Sequence, residues 1–173
     1  YDGPPFIGSW EGFSSGAPNT GVGNSELGPR SGARHLAMNI LGDDNSFTGV
    51  FQDVPVVAGS MYTLGGWHAA GTSILDVGVE FRIEWRDAVG EIGRTRNSTT
   101  APSPGAGYQE LSLTAMAPAG AEFARVVYAI QTFGGDGPTN SGSIWVDDMS
   151  FVPAPGSLAL LGLGGLAMAR RRR

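Results

Sequence analysis

Apolar and polar residues alternate along two segments of the chain. In Asp76–Arg86 the odd-numbered residues from Val77 to Trp85 are apolar, and the even-numbered ones are glycine or charged. An extended strand puts successive side chains on opposite faces, so these odd positions are predicted to face a core. Phe123–Thr132 shows the same period with a more mixed second face. Six further strands are predicted: His35–Ile40, Phe47–Val54, Met61–His68, Glu91–Thr95, Tyr108–Thr114 and Ser143–Phe151.

The predicted strands are short and are separated by clusters of Gly, Pro, Asn and Asp. The chain has 28 Gly and 11 Pro among 173 residues, and no amphipathic helix stands out before residue 152. Short strands with frequent turn signals are typical of sandwiches and jelly rolls. The fold class is therefore predicted as all-β: an antiparallel β-sandwich of jelly-roll type over residues 1–152, with a short C-terminal hydrophobic helix in an appended segment, 153–173.

The appended segment has three parts in order. Pro153, Ala154 and Pro155 precede an apolar run of 14 residues, 156–169, and four basic residues close the chain: Arg170, Arg171, Arg172 and Arg173. As a helix the run would span ~21 Å, short of the ~30 Å hydrocarbon core of a bilayer. The arginines favour a cytoplasmic end. This order favours a transient, cleavable membrane segment over a permanent anchor.

Residues 153–173 resemble a PEP-CTERM sorting tail, with Ala154 where that family usually has Glu. The resemblance implies recognition by an exosortase, removal of the tail, and delivery to the cell surface or extracellular matrix of a bacterium. We therefore expect membrane contact only through this tail before processing, and a mature chain that ends near Pro155. The alternative is an ordinary C-terminal membrane helix.

Charge and cysteine content exclude several classes of function. Residues 1–152 carry seven arginines against 16 acidic residues, a net charge of −9, whereas the tail carries +4. An acidic body repels polyanions, so nucleic acid is not an expected partner. The chain has no Cys, which excludes disulfides, thiol catalysis and zinc–thiolate sites.

A second resemblance runs through most of the body. Its segments resemble galactose-binding-like jelly rolls and their carbohydrate-binding modules, and the most specific one is the closing Val-Asp-Asp-Met-Ser; the segments begin at Ser31, Val50, Ala58, Ala117 and Ile144. That family opens with an Asn-Gly-x-Phe-Glu strand before a Trp such as Trp10. Only eight residues precede Ser9, so the sequence either starts inside the domain or lacks this opening strand.

The resemblance also implies a structural calcium, held partly by an Asp of the closing strand that matches Asp148. Hard cations take 6–8 oxygen ligands, and Asp147 could supply another, with Asp43 and Asp44 as remote candidates. The family's opening-strand glutamate is absent. The alternative is that Asp147 hydrogen-bonds to a turn and Asp148 to backbone amides. No cofactor is required.

Carbohydrate recognition uses aromatic faces flanked by polar groups. The candidates are Trp145, Trp67 and Tyr108, while Trp85 continues an apolar strand face and is expected in the core. Trp145 is out of phase with its apolar neighbours Ile144 and Val146, so its ring is expected on the opposite face and is the preferred contact.

Enzymatic activity is not expected. Glu80 and Glu84 share one strand face but lie four residues apart, ~13 Å, beyond the ~5–9.5 Å between glycosidase carboxylates. With Arg82 and Arg86 they are better interpreted as a surface charge ladder. The two histidines, His35 and His68, have no zinc-site spacing, and no nucleophile elbow or phosphate loop is present.

Together these patterns predict an exported, non-catalytic protein that binds a polysaccharide or surface glycan. The alternative is a structural or self-assembling matrix subunit without a soluble ligand. A binder is expected to be monomeric and retarded by a polysaccharide gel, whereas an assembly subunit is expected to self-associate as its concentration rises.

Overall fold

A computed structural model describes residues 9–71, 77–96, 106–132 and 141–154. Ten strands make up this part of the chain: β1 Glu11–Ser14, β2 Thr20–Ser25, β3 His35–Leu41, β4 Phe47–Pro55, β5 Met61–Ala70, β6 Val77–Arg86, β7 Glu91–Arg96, β8 Gln109–Met116, β9 Phe123–Thr132 and β10 Ser141–Pro153. The strands pair antiparallel in two five-stranded sheets. Sheet A has the order β1-β4-β9-β6-β7, and sheet B has the order β2-β3-β10-β5-β8.

This architecture confirms the predicted antiparallel β-sandwich and each of the eight predicted strands. The strands β1 and β2 were not predicted, because they are short edge strands rich in Gly, Ser and Asn and lack a clear apolar face. The predicted C-terminal helix and the family's opening strand fall outside the described residues. Within those residues, no helix is long and apolar enough to cross a membrane.

The core lies between the two sheets and is filled by the inward faces of their strands. The odd-numbered residues of β6 are all 5% exposed or less, as their alternation predicts. Ile144 and Val146 of β10 face them from sheet B. Each such side chain contributes about 1.5–3 kcal/mol when it leaves water.

One buried polar pair interrupts this apolar interior. His68 Nδ1 lies 2.8 Å from the Tyr128 hydroxyl, and both side chains are buried. Burial lowers the pKa of His68 to about 4 and raises the pKa of Tyr128. His68 is therefore neutral at neutral pH.

The outer face of sheet A carries the charge ladder predicted on β6. Arg82 binds Glu80 at 2.6 Å and Glu84 at 2.7 Å, and Arg86 lies 3.4 Å from Glu84. The predicted surface location is wrong, because Glu80, Glu84 and Arg86 are each 9% exposed or less. Such burial is tolerated because each carboxylate has a guanidinium partner.

On the neighbouring strands β9 and β4, level with Glu84, Arg125 and Asp53 form a second, more deeply buried ion pair. Arg125 donates from Nε and Nη2 to the two Asp53 oxygens at 2.8 and 2.9 Å, and both residues are buried. The guanidinium also lies 4.3 Å above the Phe51 ring. The centre of the outer face of sheet A thus holds paired, buried charges beside an aromatic ring.

The chain leaves the described body at one end of the sandwich. There the loops 56–60, 87–90 and 117–122 meet the last residues of β10, and we call this region the exit end. Val56 N donates to Glu122 O, Glu122 N donates to Arg86 O, and Ala154 N donates to Met61 O, each at 2.9 Å. The exit end is therefore one connected surface.

Candidate functional site

The candidate site is built on β10, the central strand of sheet B. Ile144 and Val146 are 0% and 1% exposed between the sheets, and Trp145 lies on the opposite, outer face, where it is partly exposed. In the register of the sheet, Trp145 is level with Ala37 of β3 and Ala69 of β5. Small neighbours on both sides leave room for the indole above the sheet.

Trp145 is fixed in place by one ring and one glycine. His35 stacks on it with ring centroids 4.9 Å apart and an interplanar angle of 26°. A Cβ at Gly71 would come within 2.5 Å of the indole Nε1 and 2.6 Å of Cε2, so the ring lies directly against the Gly71 backbone. Only glycine permits this close approach.

A groove of about 490 Å³ runs along this face beside Trp145. Its walls are an aromatic ring, small residues, amides and hydroxyls: Gly23, Asn24, Ser25, Leu27, Ala37, Asn39, Gly71, Ser143 and Trp145. We call it the Trp145 groove. Among the described residues that line it, none is charged.

His35, which stacks on Trp145, lies outside the lining of the groove and is 3% exposed. Its Nδ1 is 3.3 Å from the Tyr108 hydroxyl, and its Nε2 is buried without a hydrogen-bond partner in the described structure. Burial lowers the pKa of His35, against the opposing negative charge of Asp147. A neutral imidazole therefore backs the Trp145 ring.

Tyr108 and Trp67 lie on the same face of sheet B but outside the lining of the groove. The Tyr108 hydroxyl donates to Gly28 O at 3.4 Å in addition to its contact with His35, and burial raises its pKa. The Arg30 guanidinium covers the Trp67 ring at 3.8 Å from the ring centroid. The structure thus gathers the three predicted aromatic contacts on one face and places only Trp145 in the groove.

Asp147 and Asp148 lie at a bulge of β10 and bind the loop between β2 and β3, through Arg30 and Ser31. Asp147 Oδ2 accepts the amides of Arg30 and Ser31 at 2.9 and 3.1 Å. Asp148 has a positive φ of 50° and accepts the Ser31 hydroxyl and the Arg30 guanidinium, which lower its carboxyl pKa in that order. These contacts hold the loop that carries Arg30 against Trp67.

The same contacts bear on the predicted calcium. The Asp148 carboxylate is already neutralised by Arg30, and the described residues contain no group of three or more carboxylates, histidines or cysteines suited to a metal. Asp43 lies elsewhere and binds the start of β2, through Asn19 N at 3.1 Å and Thr20 Oγ1 at 2.7 Å. Calcium at Asp147 and Asp148 stays a prediction.

Sequence reasoning missed the polar and small residues of the groove. Asn39, Ser143 and Gly71 come from β3, β10 and the residue after β5, and only the register of sheet B brings them together. The sequence does show a small or polar residue at an outward position of each of these strands. That pattern does not indicate which strands are neighbours in the sheet.

Comparison with known proteins identifies the C-terminal segment. Residues 151–173 match the family model of the PEP-CTERM protein-sorting motif. This match confirms the predicted sorting signal. No curated protein matches the chain significantly.

Solved carbohydrate-binding modules share the fold of the body. The CBM22-2 xylan-binding domain of Paenibacillus barcinonensis Xyn10C has a TM-score of 0.57 at 18% identity, with 86% of this chain and 93% of that chain covered. The family 11 module of the Clostridium thermocellum cellulase Lic26A-Cel5E has a TM-score of 0.54 at 12% identity, with 89% and 91% covered. TmCBM61 in complex with β-1,4-galactotriose has a TM-score of 0.53 at 12% identity, with 86% and 91% covered.

A phage enzyme contains a similar sandwich. The enzymatically active domain of tailspike protein 4 of bacteriophage CBA120 has a TM-score of 0.66 at 14% identity, with 86% of this chain covered. The chain spans only 20% of that tailspike chain. These similarities concern the fold, since a common sandwich hosts unrelated functions.

Proposed function

We propose that this protein is an exported, surface- or matrix-associated module that binds a carbohydrate without cleaving it, and that the Trp145 groove is its binding site. The proposal is supported by a fold shared with carbohydrate-binding modules and by the C-terminal sorting motif. The observation that carries it is the groove itself: a partly exposed indole, held by His35 and Gly71, beside amide and hydroxyl side chains.

The chemistry of the groove favours a neutral glycan. A pyranose presents C–H groups that pack on an aromatic face and hydroxyls that exchange hydrogen bonds with amides and hydroxyls. Trp145 supplies the ring, and Asn39 and Ser143 supply polar groups on adjacent strands. An acidic polysaccharide would find no basic residue in the described lining and would meet a body of net charge −9.

The test is a glycan-array screen of the full chain and of two matched variants. Trp145→Ala is expected to weaken binding of neutral oligosaccharides at least about tenfold, since a buried aromatic contact typically dominates an interface. Trp67→Ala removes the same ring from the same face outside the groove and serves as the control. Equal losses in the two variants, or binding restricted to uronic-acid glycans, would contradict the assignment of the groove.

If the folded full chain bound no glycan on the array, the result would favour the alternative, a self-assembling matrix subunit. Light scattering would then be expected to show association as the concentration rises. A monomer that binds no glycan would contradict both functions.

We propose that the protein is not catalytic, because the buried carboxylates are paired with arginines and lie away from the groove. Glu80 and Glu84 both bind Arg82 on sheet A, and Asp53 is paired with Arg125, so none is poised as a proton donor beside the Trp145 groove. We expect no new reducing ends when the full chain is incubated with a neutral polysaccharide that it binds. Release of reducing sugar both by the wild type and by the variant Glu80→Gln, purified in parallel, would contradict this.

The sorting motif indicates export and cell-surface targeting in a bacterium, and it implies processing by an exosortase. The mature protein recovered from native cells is expected to end near Pro155. Intact mass spectrometry measures this end directly, and a mass that includes Arg173 would show that the tail is retained.

A further inference from the structure

Exposed apolar side chains are concentrated at the exit end of the sandwich. Val89, at the tip of the β6–β7 turn, is 95% exposed; Met116 and Val57 are 58% and 56% exposed. Val152 on β10 is 50% exposed, and Ile92 beside the turn is 42% exposed. We call these five residues the apolar rim.

The apolar rim belongs to one surface although its members come from four parts of the chain. Hydrogen bonds join loop 56–60 to loop 117–122 and that loop to the end of β6. A Cβ at Gly120 would lie 3.9 Å from Ile92 Cδ1, which brings β7 to the same loop. In the described residues, the other large apolar side chains of similar exposure lie elsewhere: Leu27, Leu41 and Phe47.

Two carboxylates near the rim, those of Asp87 and Glu91, already have partners, whereas Glu122 of loop 117–122 is exposed. The Asp87 carboxylate accepts the amides of Val89 and Gly90 at 2.8 and 2.9 Å, which lowers its pKa. Glu91 pairs with Arg94 at 2.7 Å. These two carboxylates would therefore keep hydrogen-bond partners if the rim approached an apolar phase.

The chain leaves from this same surface, one residue before an apolar segment. Ala154 N is bonded to Met61 O, and the 14-residue apolar run begins at residue 156. As a helix that run would span ~21 Å against the ~30 Å hydrocarbon core, so insertion leaves almost no slack between the body and the bilayer.

We propose that the apolar rim rests on the lipid surface while the sorting tail is inserted, so that the exit end faces the bilayer. The occupant is the boundary between headgroups and acyl chains, which takes up exposed apolar side chains. This inference rests on the export part of the proposed function and is independent of glycan binding. It also sets the orientation of the groove relative to the bilayer. Trp145 is level with Ala69, which is eight residues or ~26 Å along β5 from Met61 at the exit end, so the groove lies away from the lipid surface.

The chain has no cysteine, so single labels can be placed by substitution. We would incorporate the full chain into phosphatidylcholine vesicles and attach an environment-sensitive fluorophore at Val89→Cys. The matched control is Leu41→Cys, 52% exposed and at the other end of sheet B. Lipid-borne nitroxide is expected to lower the emission of the label at residue 89 about twofold or more and to leave the label at residue 41 nearly unchanged.

Three results would overturn the inference. Failure of the labelled chain to float with vesicles would refute tail insertion and, with it, the seating of the rim. Flotation without lipid quenching at residue 89 would refute the rim alone and leave the sorting signal intact. Shielding of residue 89 from a soluble quencher without lipid quenching would indicate a protein partner, such as a second copy, in place of lipid.

Discussion

The two sheets are equal in strand number, yet their outer faces differ in chemistry. Sheet A covers its outer face with charged groups that are buried and paired, including Arg125 with Asp53 and Arg82 with Glu80 and Glu84. Sheet B carries an uncharged groove beside Trp145, and its charged groups, such as Arg30 and Asp148, lie outside the lining of that groove. The charged groups at the centre of sheet A are thus largely withdrawn from solvent.

The difference teaches where binding capacity lies. A buried charge must be matched within the fold, because an unmatched one costs several kcal/mol. Matched charges have their hydrogen-bonding capacity used by each other. Neutral amides and hydroxyls such as Asn39 and Ser143 can remain at a surface and exchange water for a ligand at small cost. The Trp145 groove, with its uncharged lining, is therefore the better candidate for recognition.

Breaking the ion pair of sheet A is expected to have the largest effect. Arg125→Met leaves the Asp53 carboxylate buried without its guanidinium and is expected to lower the free energy of unfolding by about 3–5 kcal/mol. Urea denaturation measures the loss. The double variant Arg125→Met, Asp53→Leu should recover a large part of it, and an equally unstable double variant would show that packing around Arg125 matters more than charge.

Acid is expected to lower the stability of the fold through His68, which is buried between the two sheets. The folded pKa of His68, about 4, lies below the ordinary 6.5, so the unfolded chain binds more protons between these values. Stability is therefore expected to fall as the pH drops from 6.5 to 4, by on the order of 2–3 kcal/mol. Thermal melts across this range, with His68→Gln as the control that lacks this proton uptake, test it. An unchanged slope in the variant would assign the pH dependence to other groups.

A single methyl group is expected to damage the sheet B face. Gly71→Ala places a Cβ 2.5 Å from the Trp145 Nε1 and should push the ring out of position, which weakens glycan binding about tenfold while the fold persists. Gly21→Ala on β2, whose Cβ would meet nothing within 4 Å, is the matched control. Isothermal titration with a glycan from the array gives both affinities, and equal affinities would remove Gly71 from the site.

Calcium is expected to have the smallest effect. Asp148 is neutralised by Arg30, and Asp147 accepts two backbone amides, so a cation would have to displace these partners. We expect the melting temperatures in calcium and in chelator to agree within about 1 °C. A clear rise with calcium would instead support the cation that the resemblance implies.

Most of the fold could be predicted because one property, alternation with period two, fixes which residues of a strand turn inward. It placed Val77, Phe81 and Trp85 in the core and put Trp145 on the outer face. It failed for Glu80 and Glu84, because burial of an outward residue depends on what covers it from elsewhere in the chain. It also missed β1 and β2, whose short sequences have no apolar alternation to detect.

The site was less predictable than the fold. A lone Trp out of phase is a local signal, and it was sufficient to name Trp145. Asn39 and Gly71 become relevant only when β3 and β5 pair on either side of β10, and that register depends on contacts between distant residues. The Arg30 side chain that covers Trp67 comes from a loop with no pattern of its own.

The position of β10 has a mechanical consequence. This one strand carries Trp145 near its beginning and leads to the sorting tail at its end, and it is held by hydrogen-bond ladders to β3 on one side and β5 on the other. Tension between a glycan held at the groove and an anchor at the exit end would run along the strand axis. It would load those ladders in shear, so many bonds would resist together, whereas an edge strand pulled sideways would unzip bond by bond.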